Sequence, residues 1–344
     1  MMRTELLPGY SISRILKGGW QLAGGHGEVD RARAIRDMFV YAEAGITTFD
    51  CADIYTGVEE LIGAFLREWR GAHPSMPIQV HTKYVPDLAS LGSLDERRVA
   101  ATIDRSISRL GMEALDLVQF HWWDFETRGF VEAGLALARL ARAGRIRNVG
   151  VTNFDTAHLR ELMDAGVPVV SNQVQLSVLD RRPLGSLSQL CAERGVKLLC
   201  YGALAGGFLS SRWLDQPEPR EPQENRSLTK YKLIIEEAGG WEHFQLLLRT
   251  LARIGEKHGA SAGTAALRWT LDQPHVAADI AGSRDVRHLG ETLKAVQISF
   301  DEPDRAALQE VLSLHDGPSG EVYELEREKG GRHARIMKTN LGHG

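Results

Sequence analysis

The sequence predicts a closed (β/α)8 TIM barrel, because short apolar runs alternate with amphipathic helical stretches along most of its 344 residues. Most neighbouring runs begin about 30 residues apart, which is the length of one strand and helix unit. The runs begin near Ile15, Ile46, Ile78, Leu115, Ile146, Val169, Val196 and Ala278. An open dinucleotide-binding sheet would carry a GxGxxG phosphate loop, and the sequence has none.

Two further features define individual elements. Asp95 precedes a helical stretch and Gly111 follows it, and both are typical residues for the two ends of a helix. The interval between Val196 and Ala278 is much longer than the others, so it must hold a crossover helix and an insertion, which we place at 210–240. This insertion contains three prolines and then several basic residues. We interpret it as a lid that closes on a cofactor, with an ordinary surface excursion as the alternative.

The predicted domain organisation is a single barrel at 1–313 and a C-terminal extension at 314–344. The extension lies beyond the last barrel unit and is rich in charged residues. We expect it either to fold over the pocket or to mediate association into a homo-oligomer.

The composition excludes several classes of protein. Hydrophobic residues make up 43% and charged residues 25% of the chain, the balance of a folded globular protein. The net charge of −4 argues against a nucleic-acid-binding protein. No apolar stretch is long enough to span a membrane and the N-terminus lacks a signal-peptide core, so we expect a cytoplasmic protein. The three cysteines, Cys51, Cys191 and Cys200, form no metal or redox motif and are predicted to be buried thiols.

Four polar residues lie at or just beyond the ends of predicted strands. Asp50 and Tyr55 follow one apolar run, Lys83 follows the next, and His121 follows a third. Because the C-terminal ends of all barrel strands converge on one face, these side chains should meet around one pocket. Each residue alone is more often a cap, a surface group or a rim aromatic. Together they suit proton transfer to a carbonyl group.

Six short motifs, in this order, give the chain a resemblance to a known family. They are Phe-Asp-Cys-Ala-Asp-Ile-Tyr (49–55), Thr-Lys (82–83), Gln-Phe-His-Trp (119–122), Gly-Val-Thr-Asn-Phe (150–154), Asn-Gln-Val (172–174) and Ile-Ala-Gly-Ser-Arg (280–284). Together they resemble the aldo-keto reductase superfamily over most of the chain. The resemblance implies a (β/α)8 barrel that binds NADPH across its C-terminal face and reversibly reduces an aldehyde or ketone.

The resemblance implies that Asp50, Tyr55, Lys83 and His121 are the catalytic tetrad. Tyr55 would donate the proton that the carbonyl oxygen needs, and the ammonium group of Lys83 would make that tyrosine a better acid. Asp50 would keep Lys83 charged and oriented. His121 would donate a hydrogen bond to the carbonyl oxygen and orient the substrate.

The resemblance also implies a set of residues that bind NADPH. Polar side chains for the nicotinamide amide, an aromatic ring for stacking and a glycine-rich loop for the pyrophosphate would serve one half of the cofactor. These residues are Gly19, Trp20, Thr152, Asn153, Gln173, Tyr201, Gly202, Ala203, Leu204, Gly206 and Gly207. The adenosine half would contact Gly282, Ser283, Arg284, His288, Glu291 and Thr292.

The choice between NADPH and NADH depends on the adenosine end. Ser283, Arg284 and a helix expected to start near Asp285 would suit a 2′-phosphate and favour NADPH. His288 and Thr292 depart from the residues common in the family, so NADH use is also open.

Aromatic residues at the strand ends predict the substrate pocket. We place Trp20, Tyr55, His121, Trp122 and Trp123 around a small carbonyl or alcohol substrate that is apolar or planar. Cys51 should point away from Asp50 because side chains alternate along a strand, so a redox switch there is not expected.

Two other classes of function are considered. Some members of the family act as regulatory subunits that bind the cofactor as a redox sensor with little turnover. A metal-dependent barrel hydrolase could use His81, His121, Asp50 and Asp53, but a site that contains lysine and tyrosine is a poor metal site, and we expect no metal.

Overall fold

The computed structural model describes residues 2–23, 29–220, 226–283 and 285–337. An antiparallel hairpin, β1 (Arg3–Leu7) and β2 (Tyr10–Ser13), precedes eight parallel strands that close into a barrel in sequence order, with the last strand beside the first. These strands are β3 (Ile15–Gly18), β4 (Thr48–Asp50), β5 (Gln79–Tyr84), β6 (Leu117–Phe120), β7 (Val149–Thr152), β8 (Val169–Gln175), β9 (Lys197–Tyr201) and β10 (Val276–Gly282). The predicted fold class is confirmed, and each strand lies at or beside its predicted apolar run.

Helices surround the barrel and continue beyond it. They are α1 (Arg31–Glu43), α2 (Val58–Ala72), α3 (Glu96–Leu110), α4 (Phe130–Arg142), α5 (Thr156–Asp164), α6 (Ser186–Arg194), α7 (Arg226–Glu237), α8 (Gly240–Lys257), α9 (Ala262–Leu271), α10 (Leu289–Lys294), α11 (Glu302–Leu312), α12 (Glu324–Arg327) and α13 (Arg332–Arg335). The ends predicted for α3 are confirmed. The Asp95 side chain accepts a hydrogen bond from the amide of Arg98, and Gly111 ends the helix with a left-handed backbone conformation. The predicted insertion contains α7, and the C-terminal extension contains α12 and α13.

The core has two parts. The larger part lies between the barrel and the helices. The smaller part lies inside the barrel, where Leu16, Leu117 and Leu199 pack against Leu6 and Ile12 of the hairpin. Because the hairpin closes the end of the barrel where the strands begin, the opposite end is the one available for a ligand.

All three cysteines are buried and unpaired, and burial raises the pKa of each thiol. Cys51 lies in the core between barrel and helices, on the other side of the strand from Asp50, as side-chain alternation predicts. Buried thiols with raised pKa values are unreactive, so these residues serve packing.

Over the described ranges, no helix is long and apolar enough to cross a membrane. In the same ranges, no three histidine, cysteine or carboxylate side chains are grouped as metal ligands.

The sequence predicts that a helix starts near Asp285, but the helix starts later, at Leu289, so this prediction is wrong. The reason is that polar side chains stabilise a turn there instead. The Ser283 hydroxyl donates to the carbonyl of Asp285 at 2.5 Å, and the Asp285 carboxylate accepts from the amide of Arg287 at 3.0 Å. An aspartate that could begin a helix therefore begins a turn.

Asp279 is a buried acid in the barrel wall. It lies on β10 in register with Ile15 and Cys200, is 0% exposed, and neither carboxyl oxygen has a hydrogen-bond partner among the described residues. Burial raises the pKa of this carboxyl well above its usual value, so the folded chain holds a proton there that the unfolded chain releases.

We therefore predict that Asp279 makes stability depend on pH. Its contribution to the free energy of unfolding is fully present below about pH 4, which is the pKa of this carboxyl in the unfolded chain. As the pH rises further, the contribution falls by up to about 1.4 kcal/mol per pH unit, until the pH exceeds the pKa in the folded chain. Denaturant unfolding of wild type and Asp279→Asn between pH 5 and pH 8 measures this, and the variant should gain relative stability as pH rises. Asp104→Asn, at an exposed carboxylate, is the control. A constant difference between wild type and Asp279→Asn would contradict the prediction.

Candidate active site

Three neighbouring strands and one loop bring four predicted residues together. Asp50 is the last residue of β4, Lys83 lies near the end of β5, and His121 directly follows β6. Lys83 Nζ lies 2.7 Å from Asp50 Oδ2 and 5.2 Å from the ring centre of Tyr55, which lies in the loop between β4 and α2. His121 is close enough for the charge of Lys83 to affect its pKa. The structure thus assembles all four at the open end of the barrel.

The Asp50 carboxylate is held by more partners than the sequence indicated. Oδ2 accepts from Lys83, while Oδ1 accepts from Gln119 Nε2 at 2.9 Å and from Gln173 Nε2 at 2.7 Å. Lys83 also donates to the carbonyl of Cys51 at 2.9 Å. Gln119 was missed, although it lies two residues before His121 and so points into the same barrel interior.

Burial and charge set the protonation states of this cluster. Burial is the largest single influence on the pKa of Lys83 and lowers it, but the charge and hydrogen bond of Asp50, with contributions from Tyr55 and Cys51, together raise this pKa above its usual range. Burial raises the pKa of Tyr55, and the nearby ammonium of Lys83 opposes that rise. At neutral pH the site therefore holds a charged lysine, its carboxylate partner and a protonated tyrosine.

His121 is neutral and has one unused nitrogen. Burial, with a smaller contribution from the charge of Arg327, lowers its pKa to about 3. Nδ1 lies 3.2 Å from the carbonyl of Thr152, which can only accept, so Nδ1 carries the hydrogen. Nε2 is buried, has no partner among the described residues, and presents a lone pair. In this protonation state the ring donates its one N–H to the carbonyl of Thr152, and Nε2 can only accept.

The residues expected near the nicotinamide are joined by hydrogen bonds. Tyr201 donates its hydroxyl hydrogen to Asn153 Oδ1 at 2.9 Å, and Thr152 donates to the carbonyl of Gln173 at 3.1 Å. Asn153 has a left-handed backbone with φ 59°, an uncommon conformation for a residue other than glycine and one found more often at functional sites. Gln173 uses its amide hydrogens on Asp50 and Gln119, so its part is in orienting Asp50.

The glycine loop after β9 is covered by α7. A Cβ atom on Gly202 would lie 2.4 Å from the Tyr231 hydroxyl, and one on Gly206 would lie 2.7 Å from the Tyr231 ring. Both glycines therefore allow α7, which carries Tyr231, to pack against the loop. The amide of Ala205 donates to the carbonyl of Gly202, and that of Gly207 donates to the carbonyl of Leu204. These two amides are therefore engaged in hydrogen bonds within the loop itself. In the same loop, Ala203 is buried and Leu204 half-buried.

At the adenosine end, several side chains are engaged with the protein. The Glu291 carboxylate accepts from the amide of Ser261 at 3.2 Å and the hydroxyl of Thr264 at 2.7 Å, which stabilises the start of α9. Thr292 is buried, and its hydroxyl donates to the carbonyl of His288. The residue His288 is exposed.

The turn before α10 holds the remaining adenosine-end residues. Gly282 leaves room for the side chain of Gln21, whose Nε2 atom would lie 2.1 Å from an added Cβ. Arg284 lies outside the described residues. Two guanidinium groups, those of Arg33 and Arg287, lie at the Asp285 carboxylate in this turn.

Two of the three predicted tryptophans lie beside the tetrad, and the third does not. Trp20 lies 5.1 Å from Tyr55, and Trp123 packs edge-on against His121 at 4.4 Å, measured between ring centres. Trp122 is 0% exposed, donates to the carbonyls of Asp124 and Thr127, and points away from the barrel axis. Placing Trp122 in the pocket was wrong, because alternation along the chain turns it to the side opposite His121.

The C-terminal extension supplies an aromatic residue that the sequence reading missed. Tyr323, with φ 62°, packs edge-on against His121 at 5.7 Å between ring centres. Glu321 anchors this segment by accepting from the hydroxyls of Thr156 and Ser186. The extension therefore packs against the surroundings of His121.

The extension and α7 meet above the site. Arg332 pairs with Glu236, and His333 Nε2 lies 3.4 Å from Glu237 Oε1. We call the two segments, 226–237 and 316–337, the cover. It links the loop expected to hold a cofactor with the surroundings of His121.

A closed barrel with a buried lysine–carboxylate pair and a protonated tyrosine at its ligand end defines a class, the barrel oxidoreductases that act on carbonyl or alcohol groups. The sequence matches the Aldo/keto reductase family over residues 14–313, and the chain belongs to that family. It is accordingly an NAD(P)H-dependent oxidoreductase.

Individual relatives are distant. Flagellar radial spoke protein 5 of Chlamydomonas reinhardtii is 30% identical over 257 residues, covering 64% of this chain and 49% of that protein, so this chain spans about half the length of that relative. The NADH-specific methylglyoxal reductase of Escherichia coli (strain K12) is 23% identical over 321 residues, covering 88% and 95%. A solved thermostable aldo-keto reductase in complex with the inhibitor epalrestat is 26% identical with a TM-score of 0.71, covering 90% and 100%.

Gly19 fixes the distance between β3 and Asp50. Its amide donates to the carbonyl of Asp50 at 2.8 Å, and an added Cβ would lie 2.9 Å from that same oxygen and from Val58 Cγ1. We therefore predict that Gly19→Ala lowers the free energy of unfolding by about 1–3 kcal/mol and reduces kcat by displacing Asp50.

The control for this prediction is Gly71→Ala in α2, where nothing lies within 4 Å of an added Cβ. It should gain up to about 1 kcal/mol from helix propensity. Denaturant unfolding and steady-state kinetics measure both variants. A Gly19→Ala variant as stable as wild type would show that the space is larger than the structure indicates.

Proposed function

We propose that this protein is an NADPH-dependent aldo-keto reductase that transfers hydride reversibly between the nicotinamide and an aldehyde or ketone, with Tyr55 as proton donor. The observation that carries the proposal is the buried Asp50–Lys83 pair beside the protonated Tyr55. A carbonyl oxygen that gains negative charge needs both a proton and a positive field, and this arrangement offers both.

The residues would act in sequence on one oxygen atom. A reduced nicotinamide cofactor, when bound, supplies the hydride. Tyr55 gives its proton to the substrate oxygen, and the ammonium of Lys83 stabilises the phenolate that remains. Asp50 holds Lys83 in place and is itself held by Gln119 and Gln173. In the reverse direction Tyr55 takes the proton back from the alcohol.

His121 has a different role from the one expected. With its hydrogen on Nδ1 and a lone pair on Nε2, it accepts a hydrogen bond and orients a hydroxyl group, either that of the alcohol or that of Tyr55. The proton then comes from Tyr55 alone. A neutral histidine also leaves the ammonium of Lys83 as the main positive charge near the reacting oxygen.

The residues beside the tetrad fit a nicotinamide ring. Tyr201 offers a partly exposed aromatic ring at a strand end, and its bond to Asn153 places an amide next to it. Lys230 Nζ, on α7, lies 5.3 Å from the centre of the Tyr201 ring. A nicotinamide ring that stacks on Tyr201 would therefore lie against Lys230 or displace it. This fits the interpretation of 210–240 as a lid on the cofactor.

For the cofactor we propose NADPH in preference to NADH. The guanidinium groups of Arg33 and Arg287, which lie at the Asp285 carboxylate in the turn that follows β10, support this choice, as does Arg284 in the sequence. The NADH-specific relative from Escherichia coli keeps NADH as the alternative. The homo-oligomeric state and the cytoplasmic location stay predictions.

The alternative function is a cofactor-binding subunit with little turnover. The observation in its favour is the similarity to a flagellar radial spoke protein, which its name describes as part of an assembly. The complete cluster of Asp50, Lys83 and Tyr55 favours the enzyme, because a purely structural subunit has no need for it.

We predict that Tyr55→Phe lowers kcat for aldehyde reduction by at least about 100-fold, because it removes the proton donor and little else. Cofactor affinity, measured by quenching of protein fluorescence, should be unchanged. Tyr84→Phe is the matched control, since Tyr84 is buried on the outer side of β5 and packs against Phe120. It should keep the kcat of wild type.

Two outcomes would contradict this assignment. If Tyr55→Phe and wild type reduce aldehydes equally fast, Tyr55 is not the donor. If wild type binds NADPH but oxidises it with none of a panel of aldehydes and ketones, the regulatory alternative is favoured.

The cofactor preference has its own test. Wild type should show a lower KM for NADPH than for NADH, and Arg284→Gln should raise the KM for NADPH while leaving that for NADH unchanged, because only NADPH carries the 2′-phosphate. A lower KM for NADH in wild type would overturn the preference.

A further inference from the structure

Asp53 is an acidic residue that the proposed reaction does not use. It lies in the loop between β4 and α2, two residues before Tyr55, and is partly buried. Burial, with a smaller contribution from the charge of Glu59, raises the pKa of Asp53 to about 8. At neutral pH this carboxyl group is therefore largely protonated, and its role beside the proton donor is not that of a fixed charge.

The carboxyl group of Asp53 contacts the end of β5. Both of its oxygens accept from the amide of Val85, at 3.2 Å for Oδ1 and 3.3 Å for Oδ2. The amide of Asp53 donates to the carbonyl of Lys83 at 3.3 Å. The side chain and the backbone of Asp53 are thus both bonded to segment 83–85, which carries the ammonium group of the site.

The backbone of Asp53 is also held from α3. Arg109 Nη1 donates to the carbonyl of Asp53 at 3.2 Å and lies 3.3 Å from Glu59 Oε2. The other oxygen of Glu59, which is a buried residue, accepts from the hydroxyl of Thr82 at 2.7 Å. Asp53 is therefore held by β5 on one side and by α3 on the other.

Tyr55 is joined to Asp53 by one tight turn. The amide of Tyr55 donates to the carbonyl of Ala52 at 3.0 Å, which closes a turn with Asp53 inside it. The amide of Val58, at the start of α2, donates to the carbonyl of Tyr55 at 3.0 Å. A shift of Asp53 therefore moves the backbone of Tyr55, and with it the 5.2 Å between the Tyr55 ring centre and Lys83 Nζ.

We propose that Asp53 is a positioning residue for the proton transfer, because its contact with Val85 sets the distance between Tyr55 and Lys83. The proposal rests on the proposed reductase function and adds a residue that acts through Tyr55. The ammonium of Lys83 opposes the rise that burial causes in the pKa of Tyr55. A longer distance between the two groups therefore leaves the pKa of Tyr55 higher.

The pH dependence of alcohol oxidation reports this distance. In that direction Tyr55 accepts a proton, so the rate rises with pH until Tyr55 is a phenolate. A displaced Tyr55 has a higher pKa, and its pH profile moves to higher pH. Loss of a nearby negative charge lowers the pKa of a tyrosine and moves the profile to lower pH, so displacement and loss of charge have opposite signs.

The other titratable groups around these two residues stay in place in every variant of the test. Those that face Asp53 are Glu59 of α2, Arg105 and Arg109 of α3, and Tyr84 of β5. Those that face Tyr55 are Asp50, Cys51, Lys83 and Tyr323. A change in the pH profile therefore reports the change at Asp53.

The test compares Asp53→Ala, which removes the acceptor, with Asp53→Asn, which keeps an oxygen for Val85. The substrates are the aldehyde of the panel that wild type reduces fastest with NADPH, and its alcohol with NADP. Asp53→Ala should lower kcat for reduction about tenfold with little change in KM, because misplacement of a reacting group is costly. Its oxidation profile should move up by about half a pH unit or more. Asp53→Asn should keep the kcat of wild type and should not move the profile to higher pH.

Asp116→Ala is the matched control. The carboxyl group of Asp116 also accepts from a backbone amide of β5, that of Val80 at 2.9 Å, and burial also raises its pKa. Asp116 directly precedes β6, so it lies at the end of the barrel that the hairpin closes. Asp116→Ala should lower stability and leave both kcat and the pH profile unchanged.

Val85→Pro removes the same hydrogen bond from the donor side and keeps Asp53. The residue before a proline must be extended, and Tyr84, the last residue of β5, is extended. Val85→Pro should reproduce the effects of Asp53→Ala, and it replaces that variant if Asp53→Ala does not fold. The proposal is overturned if either folded variant keeps the kcat and the profile of wild type, or if Asp116→Ala moves the profile equally.

Exchange of backbone amide hydrogens separates this proposal from the function on which it rests. Segment 52–57 should exchange faster in Asp53→Ala than in wild type, and at the wild-type rate in Asp53→Asn. If wild type reduces no compound of the panel but exchange follows this pattern, the reductase function fails and the contact that positions Tyr55 stands. If aldehydes are reduced and neither the pH profile nor the exchange depends on Asp53, the positioning role is overturned and the reductase stands.

Discussion

The ligand end of the barrel depends on one buried ion pair, Lys83 with Asp50. Removing either partner would leave an uncompensated charge inside the protein, at a cost of about 3–5 kcal/mol. The pair is tolerated because Asp50 Oδ1 also accepts from Gln119 and Gln173, and Lys83 Nζ also donates to the carbonyl of Cys51. Rigid packing around it, such as the close approach of Gly19, keeps the ammonium at a fixed distance from the Tyr55 ring.

Much of this arrangement could be predicted from the sequence, because it follows from two local rules. Apolar runs at regular spacing predict the strands, and alternation within a strand predicts which side chains face inward. Asp50, Lys83 and His121 obey both rules. Gln119 obeys them equally, but an amide inside an apolar run gives no chemical signal of its own. The turn at Asp285 was misread because one aspartate side chain can stabilise either a turn or a helix start.

The remaining parts of the site depend on contacts between distant segments, and no periodicity encodes them. Glu321 reaches Thr156 and Ser186, and Arg327 reaches carbonyls beyond β6 and β7. A carboxylate or guanidinium in a charged tail looks the same in sequence whether it faces solvent or a buried carbonyl. The protonation state of His121 is of this kind too, since it depends first on how deeply the ring is buried, and then on a cation contributed by the tail and on the carbonyl that its ring meets.

The cover joins two segments that lie over different parts of the site. Its α7 half packs on the glycine loop expected to hold the cofactor, while its C-terminal half packs on His121. The pairs Arg332–Glu236 and Lys230–Glu326 tie one half to the other. A displacement of either half would strip contacts from the other, so we expect a ligand that moves α7 to loosen the packing around His121 as well.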